Sequence, residues 1–157
     1  MLAEFLVGTV LGCIPDDETR LEWDAYDLRT RDGIRVEVKS TAHLQSWGTT
    51  KRSSLRFGIN PTLAWDAKSN TYDTEVKRQA DVYVFCEHHE RNRIDADPLD
   101  VDQWTFYVLS ADVLDRLFPG QKSIALPVVQ QHADRCDYRS LKRSVERLVP
   151  NSERDGR

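Results

Sequence analysis

At 157 residues, with 39% hydrophobic and 31% charged residues, the chain is long enough to bury a core and lacks the bias of a disordered polypeptide. A formal net charge of −4 denies it the overall basic field of a general nucleic-acid binder, though not a local patch beside a functional site. No apolar run reaches the roughly 18 residues of a membrane-spanning helix, so a protein without membrane contact is expected.

The opening stretch MLAEFLVGTVLGCIP has no basic leader region, no small-x-small cleavage site and a glutamate, Glu4, inside it, so it is not expected to be a signal peptide. Leu2, Phe5, Leu6 and Val10 recur at helical spacing instead, and predict a short amphipathic helix over residues 2–12 that ends near Gly12 and Pro15. The three cysteines, Cys13, Cys86 and Cys136, have no CxxC spacing. That argues against a disulfide framework or a zinc ribbon and for a reducing, cytoplasmic compartment.

AYDLRT and IRVEVKST flank Arg31-Asp32-Gly33 and predict a β-hairpin. Ser53 to Ile59 predicts a strand stopped by Asn60-Pro61, and TEVKRQAD a short helix leading into VYVFC, an apolar run suited to a buried central strand. After the polar loop ERNRIDADPLDVDQ come a strand from Trp104 to Ser110 and a helix capped by Ser110 and stopped by Pro119-Gly120. KSIALPVV predicts a short edge strand, because Pro127 removes a ladder donor. DYRSLKRSVERL predicts a closing helix with Tyr138, Leu141, Val145 and Leu148 on one face. The expectation is a single mixed α/β domain over residues 1–150, with 151–157 as a disordered tail.

The hairpin carries the chemistry. Alternation puts Ile34, Val36 and Val38 on one face of the second strand and Arg35, Glu37 and Lys39 on the other. On the first strand Tyr26, Leu28 and Thr30 share a face, opposite Ala25, Asp27 and Arg29. A three-residue loop with Gly33 at positive φ pairs Thr30 with Ile34, Leu28 with Val36 and Asp27 with Glu37. A two-residue loop would pair Asp27 with Val38 and bury a carboxylate in the core, which its desolvation forbids. Asp27, Glu37 and Lys39 are therefore expected on one face. Facing carboxylates repel, and a divalent cation between them removes the penalty. Two carboxylates, the Val38 carbonyl and waters suit Mg²⁺ or Mn²⁺, and Lys39 beside them suits the orientation of an attacking water at a phosphate.

YDLRTRDGIRVEVKS resembles the core of the PD-(D/E)XK nuclease superfamily, in which an aspartate precedes a Glu-x-Lys triplet by the length of a hairpin. The resemblance covers the first third to half of the chain. It implies a restriction-endonuclease-like fold, with a central mixed sheet of about four to five strands flanked by helices, and Mg²⁺-dependent hydrolysis of nucleic acid, DNA by resemblance alone. Asp27 and Glu37 would be metal ligands and Lys39 the catalytic lysine. Glu4 on the first helix and Gln45 after the triplet are candidates for the further acidic and polar positions that such nucleases often have. No proline precedes Asp27, where Tyr26 stands instead. Asp24 competes for the aspartate role only through a bulge, because three positions of a regular strand turn it to the other face.

Each candidate has a plainer reading. Asp27, Glu37 and Lys39 can form a solvated hairpin face, and Glu4 can be a surface helix residue. Lys51, Arg52 and Arg56, near Trp47, suit a phosphate-contacting loop but equally an ordinary basic loop. Lys77 and Arg78 can reach the same cleft or line the outside of a helix. Arg135, Arg139, Lys142, Arg143 and Arg147 suit a solvated helix face. His88-His89 is expected as an exposed loop doublet, and His43 has no evident partner. The rival function is a catalytically idle nuclease-like fold serving as a DNA- or protein-interaction module. A homodimer or larger complex is compatible with either, and a small structural α/β protein is the remaining alternative.

Overall fold

The computed structural model describes residues 2–13, 26–44, 55–66 and 71–149. Its centre is a five-stranded mixed sheet. In spatial order the sheet runs β1 (Leu28–Arg29), β2 (Arg35–Ala42), β6 (Val82–His88), β7 (Trp104–Ser110) and β9 (Asp134–Cys136). Only β2 and β6 run parallel; the other neighbours are antiparallel. Two small antiparallel pairs stand apart from it: β3 (Arg56–Gly58) with β8 (Ser123–Ala125), and β4 (Thr62–Asp66) with β5 (Thr71–Lys77). The described helices are α1 (Leu2–Leu11), α2 (Ala111–Leu117), α3 (Leu126–His132) and α4 (Leu141–Leu148). None is long and apolar enough to cross a membrane.

Both faces of the sheet are covered. Val36, Val38, Val82, Val84, Cys86, Phe106 and Val108 pack against Leu6, Val7 and Leu11 of α1 and Leu141 and Val145 of α4. On the other face Tyr83, Phe85, Tyr107 and Leu109 pack with Phe57 of β3, Leu114 of α2, Ile124 of β8 and Val129 of α3. Every residue of β6 is buried, as a central strand covered on both sides requires. The parallel seam starts at a clamp. Asp81 accepts from the Arg35 backbone N–H at 2.9 Å and from its guanidinium at 2.7 and 3.1 Å, while the Asp81 N–H donates to the Arg35 carbonyl. The bidentate geometry makes this stronger than a point-charge contact.

The hairpin register is the expected one. Leu28 faces Val36 and Arg29 faces Arg35; the Thr30 N–H donates to the Ile34 carbonyl, and Gly33 sits at φ 86°. Alternation fails one step earlier. Leu28 packs on the α1 side, but Tyr26 packs with the opposite cluster, so the chain turns over at Asp27. The paired part of β1 is accordingly short.

Other expectations are corrected. TEVKRQAD is not a helix: its first half completes β5, as the β-branched and aromatic residues of Thr71-Tyr72-Asp73-Thr74-Glu75-Val76 favour. Pro127 does not sit in a strand. It occupies the first turn of α3, where its missing N–H costs nothing, and β8 ends at Ala125. His88 is buried at the end of β6 with its ring edge-on to Trp104, not exposed in a loop. The Ser110 cap is as expected, its side chain accepting from the Val113 N–H. The tail at 151–157 lies outside the described residues.

A Cβ built on Gly33 would meet only the Arg29 guanidinium, at an ordinary 3.8 Å, so the demand there is conformational rather than steric. Gly33→Ala is expected to lower stability by about 1 to 2 kcal/mol, through the left-handed backbone alone. A urea-denaturation midpoint unchanged from wild type would show that the turn does not hold the register.

Candidate active site

Glu37 and Lys39 stand on the face of β2 that carries Tyr83 and Phe85 on β6, their partners in register. This is not a solvent face. It is the margin of the second core, and the aromatic neighbours explain why the Glu37 side chain is only 19% exposed. Lys39 Nζ donates to Glu37 Oε1 at 2.5 Å. The second carboxylate oxygen, Oε2, has no hydrogen-bond partner among the described residues.

Asp27 reaches the same place by another route. Its N–H donates to the Val36 carbonyl at 3.1 Å, and its Oδ2 accepts from the Val38 N–H at 2.8 Å. The carboxylate thus takes the ladder position that β1 vacates beyond Leu28. In a strand the N–H and C=O of one residue point the same way. The Val38 carbonyl therefore faces the Asp27 side of β2, as the expected backbone ligand must.

The electrostatics tie the group together. Burial raises the Glu37 carboxyl above the ordinary glutamate range; the Lys39 hydrogen bond opposes the rise, while the charges of Asp27 and, more weakly, Glu4 add to it. Glu4, in the first turn of α1, is thus close enough for its charge to be felt at Glu37. Among the described residues no three His, Cys, Asp or Glu side chains are gathered as a metal-binding group. The donor set still suits a hard divalent cation: two carboxylates, one with an oxygen to spare, a backbone carbonyl on the same side and net negative charge at low exposure.

The expected nucleic-acid contacts separate. Arg56 is exposed on β3, its guanidinium donating to Ser123 Oγ at 2.9 Å, and Lys77 is exposed at the end of β5. Arg78 is a correction. Its side chain is 1% exposed, paired with Asp115 and donating to the Phe118 carbonyl at the end of α2. It fastens α2 to the sheet and is not available to a phosphate. Gln45, Lys51 and Arg52 lie outside the described residues, as do Trp47 and Asp24.

A polar chain that the sequence did not reveal continues along the same face. His43 Nε2 and Glu87 Oε1 are 2.7 Å apart; Tyr107 donates to Glu87 Oε2 at 2.8 Å, and Gln130 of α3 donates to the Tyr107 hydroxyl at 3.0 Å. Its only signal in the sequence is a carboxylate closing the apolar run VYVFC.

The family model for bacteriophage T4 endonuclease IV matches residues 1–124. The chain belongs to the bacteriophage T4 endonuclease IV family. The match takes in α1, the hairpin and the central strands β6 and β7, and so every candidate ligand and Lys39. No curated protein matches the chain. Membership makes this a chain of a nuclease family, with nucleic acid as the substrate class its name carries.

The raised Glu37 carboxyl gives a signed expectation. The folded chain holds this proton at pH values where the unfolded chain has released it, so the Glu37 contribution is most favourable at low pH and is lost as pH rises through the raised value. Without divalent cations, Glu37→Gln is expected to melt at or above wild type near pH 8, with the gap closing as pH falls into the ordinary carboxylate range. Thermal melts across pH test this, and a variant that melts below wild type near pH 8 contradicts it.

Proposed function

We propose that the chain is a Mg²⁺-dependent DNA endonuclease of the PD-(D/E)XK type, with Asp27 and Glu37 as metal ligands and Lys39 as the catalytic lysine. The observation that carries the reading is the meeting of Asp27, Glu37 and Lys39 on one half-buried margin of β2, with the Asp27 carboxylate bonded to the Val38 N–H and Lys39 bonded to Glu37. Membership of an endonuclease family supports it independently. Asp27, Glu37, the Val38 carbonyl and Glu4 would hold the cation, which would supply Lewis-acid charge at the scissile phosphate.

The protein's own residues do the rest. Lys39 is a compact ammonium with three donors, one spent on Glu37. The remaining donors orient a water toward phosphorus and offset the charge that builds on the phosphoryl oxygens as the new P–O bond forms and the bond to the leaving sugar oxygen breaks. Glu37 holds the ammonium in place, and the aromatic wall of Tyr83 and Phe85 keeps bulk water from that side. The low-dielectric margin strengthens each of these interactions.

The test combines turnover with binding. Wild type is expected to cleave DNA with Mg²⁺ or Mn²⁺ and to stop when the cation is chelated. Lys39→Ala and Glu37→Ala are each expected to lose about 10²- to 10⁴-fold in rate while keeping the wild-type fold. In calorimetry, Asp27→Asn and Glu37→Gln are each expected to abolish Mn²⁺ binding. A Glu37→Ala protein as active as wild type rejects the site. A wild type that binds no cation, even with a DNA duplex present, points instead to an interaction module.

A further inference from the structure

The chain of hydrogen bonds from His43 to Gln130 orients a buried carboxylate. Glu87 is a carboxylate only 8% exposed, in the middle of the sheet, and an apolar residue there would avoid its desolvation. Instead three strands and a helix are tied together to orient it. Tyr107 bonds one of its oxygens and His43 the other. The product of the arrangement is a fixed imidazole. Its Nε2 is bound to Glu87, while Nδ1 has no partner among the described residues, and the side chain retains 20% exposure.

Position gives that imidazole its role. Residues 37, 39 and 41 alternate onto one face of β2, and the ladder aligns Lys39 with Phe85 and Thr41 with Glu87. His43, just past the end of β2, meets Glu87 and so lies on the side of Glu37 and Lys39, four residues on from Lys39, about 13 Å at strand rise. That is too far to act on the atom Lys39 serves, and a suitable distance for a neighbouring backbone group of the same bound strand.

We propose that His43, held by Glu87, is a second contact to the nucleic-acid substrate, its imidazolium donating from Nδ1 to a backbone phosphate flanking the one that is cut. With Nε2–H given to Glu87, Nδ1 donates from the charged ring, so the contact is a charge-assisted hydrogen bond. Glu87, Tyr107 and Gln130 are positioning residues that fix the ring. Around it stand Glu87 from β6 and Tyr107 from β7, with Arg135 of β9 beyond Tyr107 and Lys39 on β2. The proposal rests on the nucleic-acid-cleaving reading for its substrate, but not on the identity of the catalytic groups.

The test is binding without turnover, read by fluorescence anisotropy on a labelled DNA oligonucleotide in EDTA. His43→Gln is expected to lose about tenfold in affinity and about one unit of the salt slope. Glu87→Gln, which leaves the ring unheld, is expected to bind more weakly than wild type. In cleavage assays His43→Gln raises KM about tenfold and leaves kcat within a few-fold. Thermal melts identify variants that fail to fold, and the conservative His43→Lys restores binding. Wild-type affinity and salt dependence in His43→Gln overturns the proposal, as does a loss confined to kcat or a wild type that binds no DNA. A Lys39→Ala protein that cleaves normally yet keeps the His43-dependent binding overturns the catalytic assignment and leaves this contact standing.

Discussion

The parallel seam between β2 and β6 is the constraint from which the two faces of the molecule follow. It runs from Val36 beside Val82 to Ala42 beside His88, and is held at its start by the Arg35–Asp81 clamp. Side chains alternate along both strands, so the same register that packs Val36, Val38, Val82 and Val84 under α1 and α4 also stands Glu37 beside Tyr83 and Lys39 beside Phe85. A slip of one residue would drive Glu37 and Lys39 into the aliphatic core and turn the valines out. The core therefore enforces the placement of the charges, and the site needs no separate scaffold.

That placement has a thermodynamic cost which the neighbouring groups only partly offset. Glu37 is desolvated by its aromatic neighbours and lies in the field of Asp27 and Glu4, with Lys39 as its opposing charge. Asp27 accepts from the Val38 N–H at the end of the ladder. Glu37, with one oxygen bonded to Lys39, has its other oxygen available to a ligand.

The sequence carried the register because two strong terms agreed: Gly33 supplied the turn, and the alternative loop buried Asp27. It carried β6 and β7 because long apolar runs leave little choice. It missed the turnover at Tyr26 because alternation describes a regular strand, and the ladder ends before that residue. β5 was mistaken because Val76-Lys77-Arg78-Gln79 suits a helix locally, while pairing with β4 decides the matter. Arg78 looked like a surface cation because nothing nearby in sequence announces Asp115, which lies 37 positions away. The His43–Glu87 contact spans 44 positions and was equally beyond any local rule. What was legible was set by periodicity and turn chemistry; what was not depended on polar partners brought together by the fold.

The same long-range pairs bear on how an acidic chain deals with a polyanion. Arg35, Arg78 and Arg147 are paired with Asp81, Asp115 and Asp134, so these three cations are already engaged within the fold. A chain of net charge −4 has no broad field to gather nucleic acid. In the proposed reading, recognition instead falls to a few oriented cations along β2. Each neutralises a single phosphate, so few counterions are released and the dependence on salt is shallow. Affinity then comes from the positions of Lys39 and His43 more than from total charge. Both positions are fixed by pairing with glutamates, half-buried Glu37 and buried Glu87, that the seam between β2 and β6 brings to one face.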